Sequence, residues 1–93
     1  DADGVPYLPT AREYREWEAV ITREWETLQR ALDARRATLI DPYGATNLAE
    51  FFAVATEAFF ELAPHVRREH PDLYRLFRHY YRQDPAARFE VDA

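Results

Sequence analysis

The 93-residue chain contains no cysteine, lysine, serine or methionine, and only two glycines. The absence of cysteine excludes a disulfide framework and any Cys-based metal site. The absence of both serine and cysteine excludes those side chains as covalent nucleophiles. Gly4 and Gly44 alone cannot build a glycine-rich phosphate loop. All 12 basic residues are arginine, and 17 acidic residues leave a net charge of -5. That balance offers no basic footprint for nucleic acid. The missing Lys and Ser point to biased codon usage and not to a function. No apolar run approaches the roughly 18 residues of a membrane span. The opening Asp1-Ala2-Asp3-Gly4 has neither the basic stretch nor the apolar core of a signal peptide. It also lacks an initiator Met, so that start reads as a cut or processed end. The cysteine-free composition suits the cytoplasm.

What is present is apolar and aromatic. Apolar residues make up 47% of the chain, including six Phe, six Tyr and two Trp. That is enough for one core, although a chain this short buries only about 60–65% of its unfolded surface. The patterning predicts an all-α fold of three to four packed helices, as a single helical domain or fragment over residues 1–93. Residues 1–9 read as a loop, with the Asp3-Gly4 turn and Pro6 and Pro9 restricting the backbone.

Thr10-Ala11-Arg12-Glu13 fits a capping box opening a helix over 10–36. Tyr14, Trp17, Ile21, Trp25, Leu28 and Leu32 then form one apolar stripe. Both Trp residues read as core. Residues 37–46 form a turn segment. Within it Thr38-Leu39-Ile40 has the look of a short extended piece, and Asp41-Pro42-Tyr43-Gly44 is a turn in which Gly tolerates positive φ. Asn47 caps a second helix over 47–62, apolar nearly all round and therefore expected to be buried. Residues 64–83 are helical, with a restart at His70-Pro71-Asp72, and residues 84–93 read as a loose tail.

Glu50 is the most informative polar residue. A carboxylate in the first turn of an apolar helix is costly to bury. Three readings stand side by side: a capping glutamate bonded to the Asn47 amide, a carboxylate held by an arginine, or a metal ligand. Tyr43, in the preceding turn, is either a packing tyrosine or a phenol pointing into a site. Glu57 lies two helical turns beyond Glu50, about 10.5 Å along the axis. At that separation the two share no proton. Glu57 either orients a neighbour of Glu50 or faces solvent. His65, His70 and His79 have no recognisable zinc spacing and read as surface or boundary residues.

The string Asp41-Pro-Tyr-Gly-Ala-Thr-Asn-Leu-Ala-Glu-Phe-Phe-Ala-Val-Ala resembles a signature segment of the Mlc titration factor A family. The closing His70-Pro-Asp-Leu-Tyr and Tyr80-Tyr-Arg-Gln-Asp-Pro, and the opening Asp3-Gly-Val-Pro-Tyr-Leu-Pro, are similar to the same family, so the resemblance covers essentially the whole chain. It implies the C-terminal helical part of a bacterial zinc peptidase of the gluzincin type. In such enzymes two histidines of an H-E-x-x-H helix and a later glutamate bind Zn2+, and the Glu between the histidines is the general base. By this resemblance Glu50 is the third zinc ligand, Tyr43 the catalytic phenol that stabilises the oxyanion, and Glu57 a weaker supporting residue around the ligands. A peptide is the implied substrate, and a Mlc-like transcriptional repressor an implied partner.

The sequence contains no H-E-x-x-H. It is therefore expected to be a fragment that binds no zinc and cleaves no peptide by itself. The alternative is a non-catalytic helical interaction module that binds a partner, such as a transcriptional regulator, through an aromatic-rich surface. Neither nucleic acid nor membrane is an expected partner.

Overall fold

Thr10 opens the first helix through its hydroxyl, which accepts a hydrogen bond from the Glu13 amide at 3.1 Å. The computed structural model describes residues 8–90. Five helices follow one another: α1 (Ala11–Asp33), α2 (Leu48–Glu61), α3 (Ala63–Glu69), α4 (Pro71–Tyr81) and α5 (Ala86–Glu90). A single 3-10 turn, Pro42–Ala45, joins α1 to α2. No strand occurs among the described residues, and the fold is all-α.

Helix α1 ends at Asp33 and not near residue 36. Arg35 donates its amide to the Leu32 carbonyl (3.0 Å) and Arg36 to the Ala31 carbonyl (2.9 Å). This pair of bonds is the Schellman closure. It normally uses glycine at the position held here by Arg35, whose φ is 56. The missing glycine is why the sequence pattern ran on. Residues 38–40 are not a strand: the Thr38 hydroxyl donates to the Ile40 carbonyl at 2.7 Å, folding the segment back and burying Ile40.

Helix α2 departs from its expected burial. Phe51, Ala55, Ala58 and Phe59 are buried, but Phe52, Val54 and Phe60 are only half-buried, and Ala53, Glu57 and Glu61 are exposed. The shape explains this. The body measures 38 × 36 × 19 Å, so its thin dimension is about two helix diameters. In so thin a body nothing among the described residues covers the side of α2 that carries Ala53, Glu57 and Glu61.

The core is aromatic. Trp17 from α1 packs on Phe52, Phe77 and Tyr80 at ring distances of 5.3, 5.7 and 5.3 Å. Phe59 sits 5.0 Å from Tyr74 and 5.7 Å from Phe77. Trp25 fits the core reading less well than Trp17: it is half-buried, and its indole N–H is enclosed with no acceptor among the described residues.

Two polar ties hold α1 to the junction of α3 and α4. Glu24 meets His70 Nδ1 at 2.7 Å, and Arg23 meets Asp72 at 2.8 Å. At the far end the Tyr74 phenol donates to Asp84 and accepts from the Ala86 amide. That tie buries Pro85 and Ala86 and turns part of the expected tail into α5. Residues 1–7, with the Asp3-Gly4 turn, and residues 91–93 lie outside the described residues.

Candidate functional site

Asp41 builds the turn that carries Tyr43. Its carboxylate accepts from the Tyr43 amide at 2.9 Å, its carbonyl accepts from Gly44 at 2.9 Å, and Pro42 presets the first position. Gly44 has a different task from the one its type suggested. Its φ does not fall in the left-handed region. A Cβ there would lie 2.7 Å from Val54 Cγ2, 3.3 Å from Phe51 Cα and 3.4 Å from Leu28 Cδ2. Glycine is needed because the turn presses onto α2 and α1, not because of backbone handedness. The turn leaves Tyr43 59% exposed, so Tyr43 is not a packing residue in this structure.

Helix α2 begins where that turn ends. The Asn47 side chain accepts from the Glu50 amide at 2.9 Å. The reciprocal half of a capping box is absent: among the described residues the Glu50 carboxylate makes no hydrogen bond and no ion pair. Neither the capping nor the arginine-held reading of this carboxylate is realised. It sits half-buried in the first turn, where the helix macrodipole favours negative charge.

Val54 and Glu57 follow Glu50 at +4 and +7, on the same helix face. Both line a depression of about 290 Å³ shared with Leu39, Asp41, Pro42 and Glu61. The depression joins the Val54, Glu57 and Glu61 side of α2 to the Asp41 turn, and neither Glu50 nor Tyr43 lines it. Glu57 is exposed there.

The histidines are used elsewhere. His65 Nδ1 bonds Arg68 at 2.8 Å, His70 bonds Glu24, and His79 is exposed on α4. The bond to Glu24 raises the pKa of His70; burial opposes this, and the charges of Glu24 and Glu69 add to it. Burial, and then the bond to Asp84, raise that of Tyr74. Among the described residues no three His, Asp or Glu side chains form a group able to hold a metal ion. A single unpaired carboxylate at the start of α2 fits one ligand of a metal site, not a whole one. Sequence reasoning missed the close approach at Gly44. The only local signal for it was a glycine next to a helix rich in bulky residues.

This all-α body belongs to a metallopeptidase family. The chain matches the glucose-regulated metallo-peptidase M90 family over residues 1–82 and is a member of it. Among curated relatives, Mlc titration factor A of Pectobacterium atrosepticum is 39% identical over 92 residues, covering 97% of this chain and 34% of that protein. Mlc titration factor A of Klebsiella pneumoniae is 40% identical over 89 residues, covering 94% and 33%. An uncharacterized protein of Synechocystis sp. is 42% identical over 83 residues, covering 89% and 30%. The chain spans about a third of the length of the curated relatives it matches.

Proposed function

We propose that this chain supplies one side of a zinc peptidase site of the gluzincin type, with Glu50 as a metal ligand and Tyr43 as the phenol at the reacting carbonyl. The observation that carries the reading is the half-buried Glu50 carboxylate, unpaired among the described residues, in a chain of a metallopeptidase family. A carboxylate with no protein partner among the described residues keeps its oxygens open to a cation such as zinc. A bound Zn2+ supplies an activated water and polarises the scissile peptide carbonyl.

The residues of this chain then take the following parts. The Tyr43 O–H donates to the oxygen as negative charge develops on it. Its amide bond to Asp41 fixes where the phenol starts from. Glu50 holds its place through the Asn47 cap. Glu57, two turns on, positions the groups around the ligands. The imidazole ligands and the general base come from outside these 93 residues, which contain no H-E-x-x-H. The chain alone is therefore inactive in this reading. Its substrate is a peptide, its setting the cytoplasm, and a Mlc-like repressor is a candidate protein partner by the name its relatives carry.

The interaction-module alternative gains no support from the aromatic residues. Most of them pack on one another, and the large apolar side chains left exposed among the described residues are Tyr43, Leu62 and Phe89.

A chimera tests the proposal: this chain replaces the matching third of the Pectobacterium relative. Zinc content and peptide hydrolysis are then measured. Glu50→Ala should lose bound zinc and turnover together. Tyr43→Phe should retain zinc and lose turnover by about 10²–10³, the usual loss for one oxyanion donor. Full metal and activity in Glu50→Ala would remove Glu50 from the site. Unchanged turnover in Tyr43→Phe would remove Tyr43.

A further inference from the structure

The charge of this chain is unevenly placed. Residues 71–88 carry four arginines against two aspartates, within a chain of net charge -5. Arg75, Arg78, His79 and Arg82 fall at i, i+3, i+4 and i+7 from α4 into its C-cap, away from the buried Leu73, Tyr74 and Phe77. With Gln83 and Asp84 they line one open concavity of about 650 Å³. Arg88 of α5 reaches the same place, bonding the Gln83 side chain at 3.2 Å.

The two aspartates described nearby are already committed. Asp72 is shared between Arg23 and Arg75. Asp84 accepts from the Tyr74 phenol and meets Arg78 only at 3.8 Å. Arg82 and His79 have no partner among the described residues. Cations near a helix C-terminus offset its macrodipole, which accounts for Arg78 and Arg82 but not for Arg75 in mid-helix. Arg82 also holds φ 55, a conformation in which glycine is unstrained and arginine is not. An arginine kept there, facing a concavity already rich in guanidinium groups, suits the capture of carboxylates by planar N–H forks.

We propose that this arginine face of α4 docks an acidic segment of a partner protein. Arg75 and Arg82 are seven residue steps apart, about 10.5 Å at helical rise, which matches carboxylates spread over two turns of a helix. Its size and the net negative charge of the rest of the chain disfavour a long polyanion. The nearby rings Tyr80 and Tyr81 are half-buried in the aromatic core, so they offer no platform for bases. The surface is separate from Tyr43 and Glu50, and its occupation does not depend on the peptidase reading.

The test titrates the 93-residue chain into a short fluorescent peptide with glutamates at i, i+4 and i+7, and reads anisotropy. The expected result is saturable binding that weakens as salt rises. Binding should weaken roughly tenfold or more in Arg78→Glu/Arg82→Glu, from two reversed charges. Arg82→Gly separates binding from folding: its thermal midpoint should not fall, while its affinity drops several-fold. Equal affinity in these variants overturns the proposal, as does equal binding of a peptide with lysine in place of glutamate. Stronger binding of inorganic phosphate, or of a labelled single-stranded oligonucleotide, overturns it in favour of a small-anion or nucleic-acid site.

Discussion

Arg35 closes α1 in a left-handed conformation with φ 56, and its amide bond to Leu32 is 3.0 Å. An L side chain there crowds the neighbouring carbonyl, at a cost of about 1–2 kcal/mol. Glycine avoids the clash but loses more freedom on folding. Arg35→Gly is therefore expected to raise stability by about 1 kcal/mol, seen as a thermal midpoint several degrees higher. An unchanged midpoint would show that the arginine side chain returns the strain through its own contacts. Glu50 shows the opposite limit on sequence reading. Its amide is capped as the Asn47-to-Glu50 spacing required. The state of its carboxylate depends on which groups lie across the fold, and no local spacing reports that.

Among the elements, α1 was the most legible. Trp17, Ile21 and Leu28 are buried where a 3.6-residue period puts them. Helix α2 was legible as a helix but not in its burial, because composition does not say how many sides receive neighbours. Helix α5 was not legible at all. Its fixing contact runs from the Tyr74 phenol to Ala86, 12 residues away.

The Glu24–His70 tie is likewise invisible to local pattern, since its partners are 46 residues apart. It makes the α1–α4 packing depend on pH. Bonding to Glu24 lifts the His70 pKa above its ordinary 6.5. A raised folded pKa means that the unfolded chain releases its proton first as pH rises. The added stability is thus complete below about 6.5 and is lost as pH climbs through the folded value. The urea midpoint should be higher at pH 6 than at pH 8, and this difference should shrink in His70→Gln. An identical pH response in the variant would assign the effect to other groups.

At the scale of the whole molecule, the described residues share one core, drawing buried side chains from Leu8 through Ala86. No helix can keep its apolar face covered once the others leave. Thermal unfolding of the isolated chain should therefore be cooperative, with tryptophan emission and helical circular dichroism changing together. Phe59→Ala, at a fully buried position, should cost about 3–5 kcal/mol, a large part of the roughly 5–15 kcal/mol a domain has. Separate transitions by the two probes would mean that part of the slab is folded independently.

The contact at Gly44 has a mechanical consequence. With Val54 Cγ2 only 2.7 Å and Phe51 Cα 3.3 Å from where a Cβ would stand, even alanine at this position would force the turn and α2 apart. Glycine thus lets the turn that carries Tyr43 pack directly on the helix that carries Glu50. In the proposed site, a segment that completes it would meet these two elements already packed together, and would bear little of the entropy loss of assembling them.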